Sequence, residues 1–219
     1  PFYKNFSTYF TSLNRGKESI KLNLKQKKDL GILMQLIKKA DILVENFRPG
    51  TMKKLGLEKN KLFKINPKLI YASCSGFGQT GKLSSKPAYD LIVQALGGIM
   101  SLTGYENQDP VRVGTSIGDI TAGLFTTIGI QAALIRRNLT KQGSYIDISM
   151  LDCQTAILEN AVSRYYSEKK VPKKIGSRHP SIAPFECFKC KDDYIAIAAG
   201  NDGLFEKLCY ATNSQNLLK

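Results

Sequence analysis

The chain has 219 residues, 42% hydrophobic and 9% aromatic, a composition that can bury a core and excludes disordered and collagen-like chains. At about 100–200 residues per domain, it makes one large domain, or one domain with part of another. The net charge is +14, and the longest charge-free run, residues 120–135, is 16 residues; a spanning helix needs about 20, so no membrane segment is expected.

Residues 19–24 (SIKLNL) alternate like a strand. A helix is predicted over 25–40, where Leu30, Leu33, Met34 and Ile37 keep helical spacing. Residues 41–46 (DILVEN) make the short apolar run of a buried parallel strand. Arg48-Pro49-Gly50 turns the chain into a helix near 51–55, and Asn66-Pro67 is a breaker before a strand at 69–74. Strand, helix, strand, helix, strand predicts a doubly wound α/β sheet. A loop rich in Gly and Ser over 76–87 leads to helices at 90–102 and 120–137, the second starting behind Asp119. A strand at 145–149 and a long helix at 151–167 complete a first unit, residues 1–168. Residues 169–178 read as a linker, and 185–188 with 194–199 as a β-hairpin opening a second unit, residues 169–219.

The charge is front-loaded: residues 1–68 carry 16 basic and 5 acidic side chains, residues 69–163 carry 6 and 7. Lysine outnumbers arginine 25 to 7, whereas base readout and phosphate forks favour arginine. The lysines read as solvated helix faces, and no nucleic-acid partner is expected. Such a field also draws anionic small molecules. The cysteines, Cys74, Cys153, Cys187, Cys190 and Cys209, are odd in number and irregularly spaced, and His179 is the single histidine. Reduced, mostly buried thiols in the cytoplasm are expected, with no disulfide framework and no metal site.

Three motifs bear on chemistry. Gly76-Phe77-Gly78-Gln79-Thr80-Gly81 fits G-x-G-x-x-G after a predicted strand, but Pro87 blocks an early helix, so a loop is favoured over a dinucleotide site. Gly114-Thr115-Ser116-Ile117-Gly118 fits G-x-S-x-G, with Asp147 or Asp152 and then His179 following in hydrolase order. The helix, however, is expected to start at Asp119 rather than at Ser116. Asp119 itself is read either as an N-cap or as a carboxylate nucleophile at a helix N-terminus.

VENFRPGTMKKLGL (44–57), NPKLIYASCSGFGQTG (66–81), AYDLIVQALGGIMSLTG (88–104), DPVRVGTSIGDITAG (109–123) and HPSIAPFECF (179–188) together resemble family III CoA-transferases, the CaiB/BaiF family, which includes α-methylacyl-CoA racemases. The resemblance implies a Rossmann-like large domain with a parallel sheet, followed by the start of a smaller α+β domain, in an interlocked homodimer. It further implies that the chain is the central portion of a longer one. The implied activity moves coenzyme A from an acyl-CoA to a carboxylic acid, with CoA as a substrate and no permanently bound cofactor. Asp119 matches the family's nucleophile, which would pass through an aspartyl anhydride and an aspartyl-CoA thioester. Asn46 and Phe47 match the Asn-Phe that packs near the adenine end of CoA, and Lys54 a basic position near its phosphates. Racemases carry histidine where this chain has Tyr89, so transfer is expected rather than racemisation, with Tyr89 a candidate contact to substrate or CoA. Gln79 and Thr80 are expected on a loop near the acyl site, and His179 receives no catalytic role. Succinyl-CoA is the expected donor. Hydrolysis by Ser116 and an inactive truncated chain are the competing readings.

Overall fold

A computed structural model describes residues 1–218. The chain opens with a short hairpin, β1 (Phe2–Tyr3) and β2 (Phe6–Ser7), and a helix α1 (Thr8–Leu13). Residues 19–24 form no strand; their alternation suits a ladder, but nothing pairs with them among the described residues.

The body begins with α2 (Lys27–Lys39), β3 (Ile42–Glu45), α3 (Thr51–Lys54), α4 (Lys59–Ile65) and β4 (Ile70–Ser75). After the Gly/Ser loop come α5 (Asp90–Leu96), α6 (Ile99–Leu102), α7 (Ile117–Thr140), β5 (Ser144–Ser149), α8 (Met150–Ala156) and α9 (Asn160–Glu168). β6 (Phe185–Lys189) and β7 (Tyr194–Ala198) pair antiparallel as expected and lead into α10 (Asp202–Ala211) and a 3₁₀ turn (Gln215–Leu218). Two expected helices are split. The one over 90–102 breaks at Gly97-Gly98, where Gly98 takes φ +92°; the one over 151–167 breaks before Asn160, where Glu159 takes φ 53°.

β3, β4 and β5 form a parallel sheet in that order, with Leu43, Tyr71 and Tyr145 in one row across it. Side chains alternate between the faces of a strand, so this row faces one side. There Ile37 of α2 and Leu62 of α4 join Leu57, Leu69 and Tyr71 in a buried cluster, with Leu30, Leu33 and Met34 packed against it. Full burial of each large aliphatic side chain is worth about 2 kcal/mol. The lysines of α2 stay on its solvent side, as its amphipathic pattern requires. On the other face Cys74 and Ile148 meet Val93, Ala122, Met150 and Cys153, from α5, α7 and α8. The arrangement is the expected α/β one, with helices on both faces of a parallel sheet.

α7 differs from expectation at both ends. It runs 24 residues and takes in Asp119, Arg136 and Arg137, so by length and composition it is long and apolar enough to cross a membrane. The exclusion based on the charge-free run therefore does not hold for this helix, because charges near its two ends cut the run short. Its small residues allow close approach: Gly129 lies against Ile146 of β5, and Gly118 against Asp90 and Val93 of α5. Ile120, Leu124, Ile128, Ile135 and Leu139 form an exposed stripe on the other side.

Candidate active site

The strand ends and the helix N-termini that follow them converge on one cleft of about 700 Å³ beyond the carboxyl ends of the parallel strands. Ligands of open α/β sheets bind at this end because loops from adjacent strands diverge there. One wall comes from Asn46, Phe47 and Arg48 after β3, the floor from Cys74, Ser75 and Gly76 at the end of β4. Lys86 and Tyr89 stand before α5, and Asp119 and Thr126 project from α7.

Asp119 is the third residue of α7, so it is not the helix N-cap. Ser116 holds that position, and its side chain makes no capping hydrogen bond. The carboxylate of Asp119 thus sits in the first turn, where the helix dipole favours an anion, and opens to the cleft. The cleft walls still withdraw water from it. This partial desolvation, and the negative charge of Asp90, raise its pKa above the ordinary carboxylate value.

A buried polar frame holds the surrounding loops. Glu45, 8% exposed at the end of β3, accepts hydrogen bonds from the Ser73 hydroxyl, from Tyr71 Oη at 3.4 Å and from the Phe47 N–H at 2.7 Å. Asn46 Nδ2 donates to the Cys74 carbonyl at 2.7 Å. Together they fix Asn46 and Phe47 at the cleft wall. On the other side Asp90 and Gln94 are also buried, Asp90 accepting from the Gly118 N–H at 2.8 Å. Burial holds the Cys74 thiol above its ordinary pKa, so it is not an ionised nucleophile beside Asp119.

The structure therefore brings Asn46, Phe47, Tyr89 and Asp119 into one cleft, and leaves Lys54 out of its lining. Lys54 ends α3 on the surface, where a cation complements the helix C-terminus. The basic side chains that line the cleft are Arg48 and Lys86, which make no ion pair among the described residues. Sequence reasoning missed both, along with Glu45, Asp90 and Gln94. A charged residue closing an otherwise apolar strand, ILVE, was the available signal for Glu45.

Gly76 alone of the G-x-G-x-x-G stretch lines the cleft, and no helix follows Gly81 directly. Gln79 is turned to the polar frame: its N–H donates to the Asp147 carboxylate at 3.1 Å and its Nε2 to Ser73 Oγ at 2.9 Å. Neither Gln79 nor Thr80 lines the cleft. The hydrolase set is not assembled. Asp147 serves Gln79, while His179 Nδ1 accepts from the Ser181 N–H at 3.1 Å with its ring 5.3 Å from Phe185. Among the described residues no three His, Cys, Asp or Glu side chains gather to hold a metal ion. All five cysteines are free, and Cys187 and Cys190 are exposed rather than buried.

A parallel sheet that opens a charged cleft beyond its strand ends defines an α/β ligand-binding protein, and comparison with known proteins narrows the class. The description of CoA-transferase family III matches residues 1–219, and the chain belongs to that family. It is 50% identical over 210 residues to an acetyl-CoA:oxalate CoA-transferase of Acetobacter aceti, covering 95% of this chain and 54% of that protein. To the succinyl-CoA:glutarate CoA-transferase of Homo sapiens it is 40% identical over 209 residues, covering 95% and 48%. A crystal structure of a CaiB/BaiF family protein from Brucella suis matches with TM-score 0.84 at 40% identity, covering 95% of this chain and 55% of that one. The chain spans about half the length of the curated relatives it matches.

Proposed function

We propose that the full-length protein transfers coenzyme A from an acyl-CoA to a carboxylic acid, with Asp119 as the nucleophile. The carboxylate attacks the thioester carbonyl, forming an acyl–aspartyl anhydride and releasing CoA thiolate. The thiolate attacks the aspartyl carbonyl, which yields the aspartyl-CoA thioester and frees the donor acid as its carboxylate. The acceptor carboxylate then attacks the aspartyl thioester, again expelling CoA thiolate. Attack of that thiolate on the acceptor's acyl carbonyl forms the new acyl-CoA and restores Asp119. Every step exchanges one activated acyl group for another, so no external energy source is required, and covalent catalysis divides the exchange into easier displacements.

The observation that carries this reading is the carboxylate of Asp119 in the first turn of α7, facing a cleft that also holds the cations Arg48 and Lys86, which are unpaired among the described residues. Asn46, Phe47 and Tyr89 are the proposed CoA contacts, and the two cations offset the anionic groups of CoA and of the acids. No permanent cofactor takes part. A reducing, cytoplasmic setting fits the five free thiols. Succinyl-CoA and acetyl-CoA are the donors to try, with glutarate and oxalate as acceptors, since the names of the relatives carry those acids.

The test is exchange by the full-length protein. Incubation of each donor with each acceptor is expected to give the acceptor's CoA thioester without net release of thiol, followed by chromatography and a thiol reagent. Thiol release without exchange would favour the Ser116 hydrolase. We also propose that the exposed stripe of α7 is covered in a homodimer, because an apolar stripe of this length is costly to leave in water. Sedimentation at the mass of a single full-length chain would remove that assignment.

A further inference from the structure

We propose that Asp90 is a positioning residue for Asp119, gripping the backbone of Gly118 so that the first turn of α7 presents the Asp119 side chain to the cleft. The inference rests on the reading of Asp119 as nucleophile. Asp90 opens α5 and is 8% exposed. One carboxylate oxygen, Oδ1, accepts the Gly118 N–H at 2.8 Å. Oδ2 accepts from Gln94 Nε2 at 2.7 Å and lies 3.7 Å from the Arg112 guanidinium. Gln94, wholly buried, carries the link onward: its Oε1 accepts the Val113 N–H at 2.8 Å, and its Nε2 lies 3.4 Å from the Thr115 carbonyl.

Two side chains one turn apart on α5 thus hold the entire approach to α7, at Val113, Thr115 and Gly118. The first N–H groups of a helix have no partner within it. Here one of them is supplied with a charged acceptor from another helix, the stronger kind of hydrogen bond. Gly118 lies close enough for this because it has no side chain: a Cβ would stand 3.1 Å from Asp90 Oδ1 and 3.4 Å from Val93 Cγ1. Desolvating a second carboxylate close to the nucleophile is unfavourable for folding. An apolar residue would fill the space, so the grip on Gly118 is what the acceptor oxygen supplies.

The groups around Asp119 are Asp90 on α5, Arg48 after β3, Lys86 and Tyr89 before α5, and Cys74 on β4, and Arg112 before α7 faces Asp90. Asp90 is the one that raises the proton affinity of Asp119 by its charge, so removing the charge also moves the acid limb of the rate profile.

The test compares Asp90→Ala with Asp90→Asn in the full-length protein. Asparagine keeps an oxygen for the Gly118 N–H but loses the charge and the acceptor for Gln94 Nε2; alanine loses all three. For Asp90→Ala, kcat is expected to fall about 100-fold, the scale of a misplaced reacting group, with KM for succinyl-CoA within about threefold of the parent. Hydrogen exchange of the segment 112–119 is expected to speed up in the alanine variant and stay slow in Asp90→Asn. Asp90→Asn is expected to recover most of kcat and to move the acid limb of kcat/KM to lower pH. Alanine and asparagine variants with equal turnover and equal protection of 112–119 would overturn the proposal. If Asp90→Ala does not fold, Asp90→Asn decides alone: a loss of kcat of about 100-fold while 112–119 stays protected overturns it. A change in protection of 112–119 in a protein that shows no exchange activity would support the clamp and remove the transfer reading instead.

Discussion

Replacing Asp119 by alanine in the full-length protein is expected to lower CoA transfer by at least about 10⁴-fold, as loss of a covalent nucleophile does. Binding of CoA itself should change little. The carboxylate makes no ion pair among the described residues, so the substitution removes no structural link. Its raised pKa gives the stability effect a definite sign. A carboxyl that binds its proton more tightly in the folded state favours folding below its unfolded pKa. That contribution is lost as pH rises through the higher folded value, so the ionised group opposes folding at neutral pH. Asp119→Asn is therefore expected to unfold at the same or a higher temperature than the parent at pH 7, with the difference vanishing in acid, where both side chains are neutral. A variant that is inactive and more stable is the signature of a residue kept for chemistry. A clear loss of melting temperature at neutral pH would assign Asp119 a structural role instead.

The largest stability effect is expected away from the cleft, at Gly143. This residue lies just before β5, where its N–H donates to the Pro67 carbonyl at 2.8 Å and the next N–H, of Ser144, to the Leu69 carbonyl at 3.1 Å. A Cβ on Gly143 would overlap the Leu69 carbonyl oxygen and stand 2.8 Å from its carbon. Those neighbours are backbone atoms at the head of the central strand and cannot swing aside as a side-chain tip would. Gly143→Ala must displace β5 from β4 or break the Ser144 bond. Overpacking of this kind costs about 3 kcal/mol or more, a large share of the 5–15 kcal/mol typical of a folded protein. Urea unfolding of the full-length variant should give a clearly lower midpoint. A midpoint equal to the parent's would mean that the close approach of the two strands is not as described.

The sheet was legible because buried parallel strands write themselves as short apolar runs: DILVEN, LIYASC and YIDIS gave β3, β4 and β5 within a residue or two. α2 was legible for a similar reason, since Leu30, Leu33, Met34 and Ile37 fall on one face and pack as that spacing predicts. α4 was not. KNKLFKI carries three lysines in seven residues and buries chiefly Leu62, too weak a pattern to separate from a linker. Residues 19–24 misled in the opposite direction, since alternation specifies a strand only where a ladder exists to receive it. In the cleft, the family resemblance supplied Asn46, Phe47, Tyr89 and the role of Asp119, and all four lie along the lining. Lys54, supplied by the same resemblance, ends α3 outside that lining. Local spacing put the start of α7 three residues late, Gly118-Asp119 looking like a cap when the capping position is Ser116. Asp90 and Gln94 were hidden for a deeper reason. Their partners are backbone groups more than 15 residues away, and a hydrogen bond to a distant N–H leaves no mark in local sequence.

The central claim is that the Asp119 carboxyl becomes covalently acylated during exchange. Full-length protein incubated with succinyl-CoA, quenched with hydroxylamine or borohydride and analysed by peptide mass spectrometry tests it most directly. The account predicts hydroxamate or alcohol at Asp119, with Ser116 unmodified. Undiminished CoA exchange with an unmodified Asp119 peptide would contradict it.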